Sequence, residues 1–314
     1  GYKIIGLPVA GFDRKNMLRN IVVAAKLFKS MKKARAIIKD FKPDIAIGVG
    51  GYASGPVLKA ASAKGIPTLI QEQNSYAGVT NKMLARKASV ICVAYEGMSK
   101  FFPKEKIVLT GNPCRQDLII SDENRKNGYV HFKLDPNKKT ILMVGGSLGA
   151  ATLNKSIISA FDKIRKEDGV QVIWQCGKYY FQDMQKLQNE GKIPSNIHMM
   201  DFISRMDYAY SVSDLIISRA GAGSISEFSL LGRAVILVPS PNVAEDHQTK
   251  NAQALVDKDA AVMISDVIAP DMLFDVALTL VKNEMQMSKL RDNIKKLAQH
   301  NSAGRIVDEI EKLI

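Results

Sequence analysis

A chain of 314 residues is longer than one compact core usually accommodates, so two domains are expected. With 46% hydrophobic and 24% charged residues it has the composition of an ordinary folded protein, which excludes disordered and repeat classes; no apolar run is long enough to cross a bilayer and no signal peptide is recognised. The net charge of +13 favours anionic partners, and without a nucleic-acid-reading module a membrane surface or a phosphorylated substrate is preferred to nucleic acid.

Short β-branched runs alternate with helical patterns along the chain, which predicts parallel sheets covered on both faces. The first run, 3–7, opens the sequence with no glycine turn ahead of it, so the first β–α unit is expected to lie outside this sequence. Residues 13–40 read as a long basic amphipathic helix. Leu18, Ile21, Val22, Ala25 and Phe28 recur at helical spacing, ringed by Arg14, Lys15, Arg19, Lys26, Lys29, Lys32, Lys33 and Arg35. The stripe could face a core, yet Val23, Ala24, Leu27 and Met31 widen the apolar arc, and a helix of this kind can also lie on anionic lipid.

The next strand, 44–49, runs into Gly50-Gly51-Tyr52-Ala53-Ser54-Gly55-Pro56. Backbone amides and the Ser54 hydroxyl could hold an anion there, with Pro56 placed in the first turn of the following helix; a plain tight turn is the other reading. Strand 68–71 leads to Glu72-Gln73-Asn74, at the sheet end where ligands collect, although Asn74 could simply cap a helix. Strands 90–94 and 107–110 follow, and the polar stretch 116–139 reads as the connection between domains.

In the second half, strands are expected at 140–144, 170–175, 197–202, 214–218 and 235–238, and helices near 270–282, 286–299 and 303–314, the last crossing back onto the first domain. The turn Gly145-Gly146-Ser147-Leu148-Gly149 has the strand–glycine–helix form of phosphate sites, but it lacks the Lys-Ser/Thr of a Walker loop and the spacing of a dinucleotide fingerprint. A second such turn runs from Arg219 to Glu227. Here Ser224 and Glu227 have capping-box spacing, while a carboxylate at Glu227 could instead accept both hydroxyls of a ribose; spacing leaves the two readings level.

Glu245-Asp246-His247-Gln248 contains an Asp–His pair, but no Ser or Cys sits in a nucleophile elbow. Asp257-Lys258-Asp259, superficially a metal-binding Asp-x-Asp, falls in a surface turn, and the histidines have no zinc-ligand spacing. Cys92, Cys114 and Cys176 read as reduced thiols.

In order, "GGYASGP", "EQN", "GNPCR", "GGSLGA", "DFI", "RAGAGSISE" and "DHQTKNA", spread from Gly50 to Ala252, resemble the MurG family of peptidoglycan N-acetylglucosamine transferases, glycosyltransferase family 28. Each piece alone is common; seven in family order are specific.

The resemblance implies a GT-B architecture of two Rossmann-like, doubly wound α/β domains facing across a cleft. These would be an acceptor- and membrane-side domain, 1–116, joined by the returning helix 301–314, and a UDP-sugar domain, 117–300. It implies an inverting transfer of N-acetylglucosamine from UDP-N-acetylglucosamine to the 4-hydroxyl of undecaprenyl-diphosphate-linked N-acetylmuramoyl-pentapeptide. No cofactor or metal is implied.

By resemblance, Ile203 frames the uracil; Ala222, Gly223, Ser224, Ile225, Ser226 and Glu227 form the nucleotide turn with Glu227 on the ribose; and Ser147, Gln248, Asn74 and Arg115 reach the donor. Gly50, Gly51, Tyr52 and Ser54 are expected at the acceptor diphosphate, and Ile21, Phe28, Lys29, Met31 and Lys32 at an anionic membrane. A peripheral location on the cytoplasmic face of the bacterial inner membrane follows, with cell-wall and division proteins as candidate partners. The family's Gly-Gly-Thr-Gly-Gly-His loop, whose His is a favoured base, has no match in this sequence, so the chain by itself is expected to be inactive or nearly so. Leu148 stands where many members have Gln, and Ala220 where Ser is common. The alternatives are a UDP-sugar epimerase of the same architecture and a non-catalytic docking protein.

Overall fold

The structure, a computed structural model, describes residues 2–11, 19–115 and 118–314. The chain forms two compact units, Gly1–Pro113 with Asn301–Ile314, and Cys114–His300. The expected boundary at 116/117 falls on residues outside the described set, as do positions 13–18 of the expected basic helix.

In the first unit, α1 (Arg19–Phe41) precedes β1 (Ala46–Gly48), α2 (Gly51–Ser62), β2 (Thr68–Glu72), α3 (Val79–Leu84), β3 (Val90–Val93) and β4 (Ile107–Leu109). The strands pair in parallel in the order β1-β2-β3-β4. Alternate side chains of each strand leave by opposite faces, and both faces are covered. Ile70, Ile91 and Val93 pack with Ala34 and Ile38 of α1 and with Leu58 and Ala61 of α2. On the other face, Leu69, Val90 and Cys92 receive Ile306 from the chain's last helix, Ser302–Glu311. Arg305 of that helix donates to the Leu109 carbonyl.

Two expectations for this unit are corrected, and one of two alternatives drops out. Residues 3–7 form no strand. Lys33 Nζ donates to the Gly6 carbonyl (2.9 Å) and Ser30 Oγ to the Pro8 carbonyl (2.6 Å), so side chains of α1 occupy acceptors that a neighbouring strand would otherwise use. On α1 itself the buried face is Val23, Ser30, Ala34 and Ile38, whereas Ile21, Val22 and Phe28 of the supposed core stripe are exposed. Pro56 is the sixth residue of α2, because the helix already starts at Gly51.

The second unit runs α4 (Asp122–Phe132), β5 (Lys139–Val144), α5 (Ala151–Ser159), α6 (Phe161–Arg165), β6 (Val170–Gln175), α7 (Phe181–Asn189), β7 (Ile197–Met200) and α8 (Met206–Val212). It continues with β8 (Leu215–Ser218), α9 (Ala222–Leu231), β9 (Ala234–Leu237), α10 (His247–Val256), β10 (Val262–Met263), α11 (Ala269–Lys282) and α12 (Glu284–Lys295). All strand pairs are parallel, in the order β10-β9-β8-β5-β6-β7. Ile141, Met143, Val172, Trp174, Leu215 and Ile217 fill one face of this sheet.

The polar stretch 116–139 holds α4 rather than only a connection. Ser121 caps it by accepting from the Asn124 amide at 3.0 Å, and its Gly128 lies so close to Tyr208 of α8 that an added Cβ would meet the Tyr208 carbonyl at 3.0 Å. The short edge strand β10 is an element that sequence pattern did not indicate.

Candidate nucleotide-sugar site

From β5 the chain moves outward to β6 and β7, then returns to lay β8 against the other side of β5. This reversal is a topological switch point, and open parallel sheets bind ligands just beyond the strand ends at such a point. Val144 and Ser218 are register partners, so the turns that follow β5 and β8 start side by side. They are two of the three glycine turns singled out in the sequence.

The turn after β5 places Ser147 on the surface, with a hydrogen bond from the Gly149 amide to the Gly146 carbonyl (3.0 Å). It is pressed against the turn after β6. Gly149 and Gly177 both have φ near +88°; a Cβ on Gly149 would lie 2.2 Å from the Cys176 carbonyl, and one on Gly177 2.2 Å from the Gly149 Cα. No side chain fits between these backbones, and glycine also supplies the left-handed conformation.

Gln175, buried at the end of β6, joins this turn to the next strand end. Its Nε2 donates to the Gly146 carbonyl (2.9 Å), and its Oε1 accepts from the Ile203 amide (2.8 Å). Ile203 is itself buried, and its amide is committed to Gln175.

After β8, α9 begins at Ala222 with Gly221 as N-cap and no side-chain cap. The capping-box reading of Ser224 and Glu227 is therefore overturned: Ser224 sits inside the first turn, and Glu227 points elsewhere. The amides of Ala222, Gly223 and Ser224 have no acceptor within the helix, the arrangement that favours an anion. Ser226 Oγ donates to the Ala222 carbonyl at 3.0 Å, and Ile225 is buried.

Glu227 Oε2 accepts from the Tyr210 hydroxyl (3.0 Å), and its Oε1 lies 3.8 Å from Arg115 Nε. Burial, and then the neighbouring carboxylate, hold the Tyr210 phenol above its ordinary range, so it stays a donor. Cys114 Sγ sits 3.9 Å from the Gly223 carbonyl; burial and then Glu227 raise its thiol.

Gln248, in the first turn of α10, accepts at Oε1 from the amides of Ala220 (3.2 Å) and Ser240 (2.8 Å), clamping the turn after β8 to the one after β9. Arg219 reinforces this, donating to the carbonyls of Val238 (3.0 Å) and Pro239 (3.3 Å) and pairing with Asp266, which accepts from Thr152 of α5. The Asp257–Asp259 turn is engaged by Gln253 and Lys289, and among the described residues no group of three His, Cys, Asp or Glu could hold a metal ion.

In the first unit, Gly50 caps α2 and Ser54 donates back to its carbonyl (2.5 Å), leaving the amides at Gly51, Tyr52 and Ala53 as the helix-end donors. Asn74 does not cap α3, whose N-cap is Gly78. Its amide and Nδ2 both bond the buried Glu72, which also accepts from Gly78 and Asn81.

The profile described as glycosyltransferase family 28 C-terminal domain matches residues 140–308, and that of the family's N-terminal domain matches residues 1–93. The chain belongs to glycosyltransferase family 28. Its family 28 relatives include proteins named UDP-N-acetylglucosamine–N-acetylmuramyl-(pentapeptide) pyrophosphoryl-undecaprenol N-acetylglucosamine transferase. That of Parabacteroides distasonis is 60% identical over the whole chain and 85% of the relative, and that of Flavobacterium psychrophilum 50% identical over the whole chain and 84% of the relative. The crystal structure of Acinetobacter baumannii MurG is 34% identical, with a TM-score of 0.76, covering 95% of this chain and 83% of that one. A UDP-GlcNAc 2-epimerase from Neisseria meningitidis, at 15% identity and a TM-score of 0.65 over 96% of this chain and 84% of its own, shares the fold alone. The GT-B fold class and the family reading of the seven motifs are thus borne out, and the family 28 chain is a hexosyltransferase.

Sequence reasoning missed Gln175, Tyr210 and Asp266. Gln175 carried a faint signal, a second polar residue in the buried run "VQVIWQ". Tyr210 and Asp266 carried none, because their partners are 17 and 47 residues away.

Proposed function

We propose that this chain transfers N-acetylglucosamine from UDP-N-acetylglucosamine to the 4-hydroxyl of undecaprenyl-diphosphate-linked N-acetylmuramoyl-pentapeptide, inverting the anomeric carbon. The observation that carries the reading is the pair of glycine turns at the β5/β8 switch point, with Glu227 beside them, in a chain whose relatives bear that activity in their names. The diphosphate lies on the amides of Ala222–Ser224 and the turn at Ser147. Glu227 takes the ribose, Ile203 frames the uracil, and Arg115 and Gln248 add donor contacts. As the acceptor oxygen bonds to the anomeric carbon, the bond to the diphosphate breaks and the acceptor proton leaves to a base. Helix-end amides stabilise the charge that gathers on the departing UDP. The amides at Gly51, Tyr52 and Ala53, in the turn that Gly50 and Ser54 shape, take the acceptor diphosphate.

The membrane side of the reading is supported by α1. Ile21 (68% exposed) and Phe28 (75%) are flanked by exposed Lys29 and Lys32, with Met31 half-buried at the margin. Apolar side chains ringed by lysine suit an anionic bilayer, and no described helix is long and apolar enough to cross one. We place the chain peripherally on the cytoplasmic face of the inner membrane, near cell-wall and division proteins.

The test is transfer of labelled sugar to the lipid-linked acceptor, by this chain and by the chain with the family's Gly-Gly-Thr-Gly-Gly-His loop added ahead of Gly1, alongside calorimetry with UDP-N-acetylglucosamine. Transfer is expected with the loop added, and heat with both. A free sugar product would favour an epimerase; nucleotide binding without transfer would favour a docking protein.

A further inference from the structure

Glu227 has two potential partners of very different strength. Arg115 stands 3.8 Å from Oε1, beyond hydrogen-bond length, while the Tyr210 hydroxyl bonds Oε2 at 3.0 Å. An arginine and a carboxylate that can reach one another tend to close into a bidentate pair, which would swing both oxygens toward the guanidinium and away from the turn. Tyr210 is placed to prevent this. It is 4% exposed on α8 and is wedged edge-on against Phe228 (ring centroids 6.0 Å, 87°), the residue after Glu227, so neither its ring nor its hydroxyl has room to follow the carboxylate.

We infer that Tyr210 is a positioning residue that holds Glu227 away from Arg115 with an open lone pair on each oxygen, and thereby sets the preference of this site for ribonucleotides over 2′-deoxyribonucleotides. The inference rests on the proposed UDP-sugar site. A carboxylate offers about four acceptor directions; the phenol takes one, and two vicinal hydroxyls need one on each oxygen. With the phenol gone, Glu227 turns to Arg115, and the ribose loses its acceptor while the diphosphate and uracil contacts stay.

The experiment is calorimetry of the chain with UDP and with 2′-deoxy-UDP, for the wild type, Tyr210→Phe and Tyr210→Met. Phe keeps the ring without the hydroxyl, and Met fills the space with a flexible apolar chain, so one folded variant suffices. Wild type is expected to prefer UDP by roughly 10- to 100-fold, the effect of hydrogen bonds to a charged group. In either variant that ratio falls to within about threefold, a residue of weak hydrogen bonding, with 2′-deoxy-UDP affinity unchanged. A merely structural role would weaken both nucleotides together. A ratio kept in a folded variant, or equal losses for the two ligands, overturns the inference; a wild type that binds neither nucleotide overturns the proposed site instead.

Discussion

Glu227 and Gln175 illustrate how a single side chain can hold a site that backbone mostly builds. Glu227→Gln keeps the shape but replaces one acceptor oxygen with a donor, so UDP-N-acetylglucosamine binding should weaken roughly tenfold or more while thermal unfolding of the free chain changes little. Calorimetry and a melt on the same preparation check this. Gln175→Leu removes both ends of the bridge between Gly146 and Ile203. It leaves the buried Ile203 amide unpaired, while the Gly146 carbonyl keeps the Gly149 amide, and should cost about 1–3 kcal/mol in urea unfolding. The sequence signalled Glu227 through its motif, but the cap reading was removed by where α9 begins, at Ala222, two residues before Ser224. Helix starts in glycine-rich turns are set by backbone geometry that neighbouring elements impose, and residue types within the turn carry little of that information.

At the level of elements, the strands were legible because buried parallel strands are short, β-branched runs bounded by turn residues, and nine of the expected runs hold the nine longer strands within a residue or two. The run at 3–7 has the same composition and no strand, since composition cannot say whether an edge is there to pair with. On α1 the sequence left two readings of the stripe open, because two apolar arcs compete on that helix; the arc with small residues, Ala34 among them, is the one that packs. The Gly149–Gly177 contact belongs to this scale as well. Gly177→Ala should prevent the turns after β5 and β6 from meeting, lowering stability by about 1–3 kcal/mol from backbone strain alone and abolishing nucleotide binding, measured by unfolding and calorimetry. Burial raises the thiols of Cys92 on β3 and Cys176 beyond β6 from an ordinary 9.0 to about 11. The folded state thus resists ionisation that the unfolded state allows. The stabilisation from these two groups is complete below pH 9 and is lost between about 9 and 11, and thiol reagents should label neither in the folded chain at neutral pH.

For the molecule as a whole, the charge of +13 and the exposed arc of α1 make one joint prediction. Binding to anionic vesicles should fall steeply as salt rises from low to physiological strength, and Ile21→Ser with Phe28→Ser should remove most of what salt leaves. Vesicle flotation reads both; binding indifferent to the two substitutions would sink the docking face. The last helix has a consequence of another kind. Its Ile306 closes the sheet face formed by Leu69, Val90 and Cys92, although about two hundred residues separate them along the chain. A ribosome delivers the beginning of the first unit early and residues 301–314 only after the whole of the second unit. The unit begun first is therefore completed only after the second has been made, and until Ile306 emerges a chaperone has an apolar floor to cover.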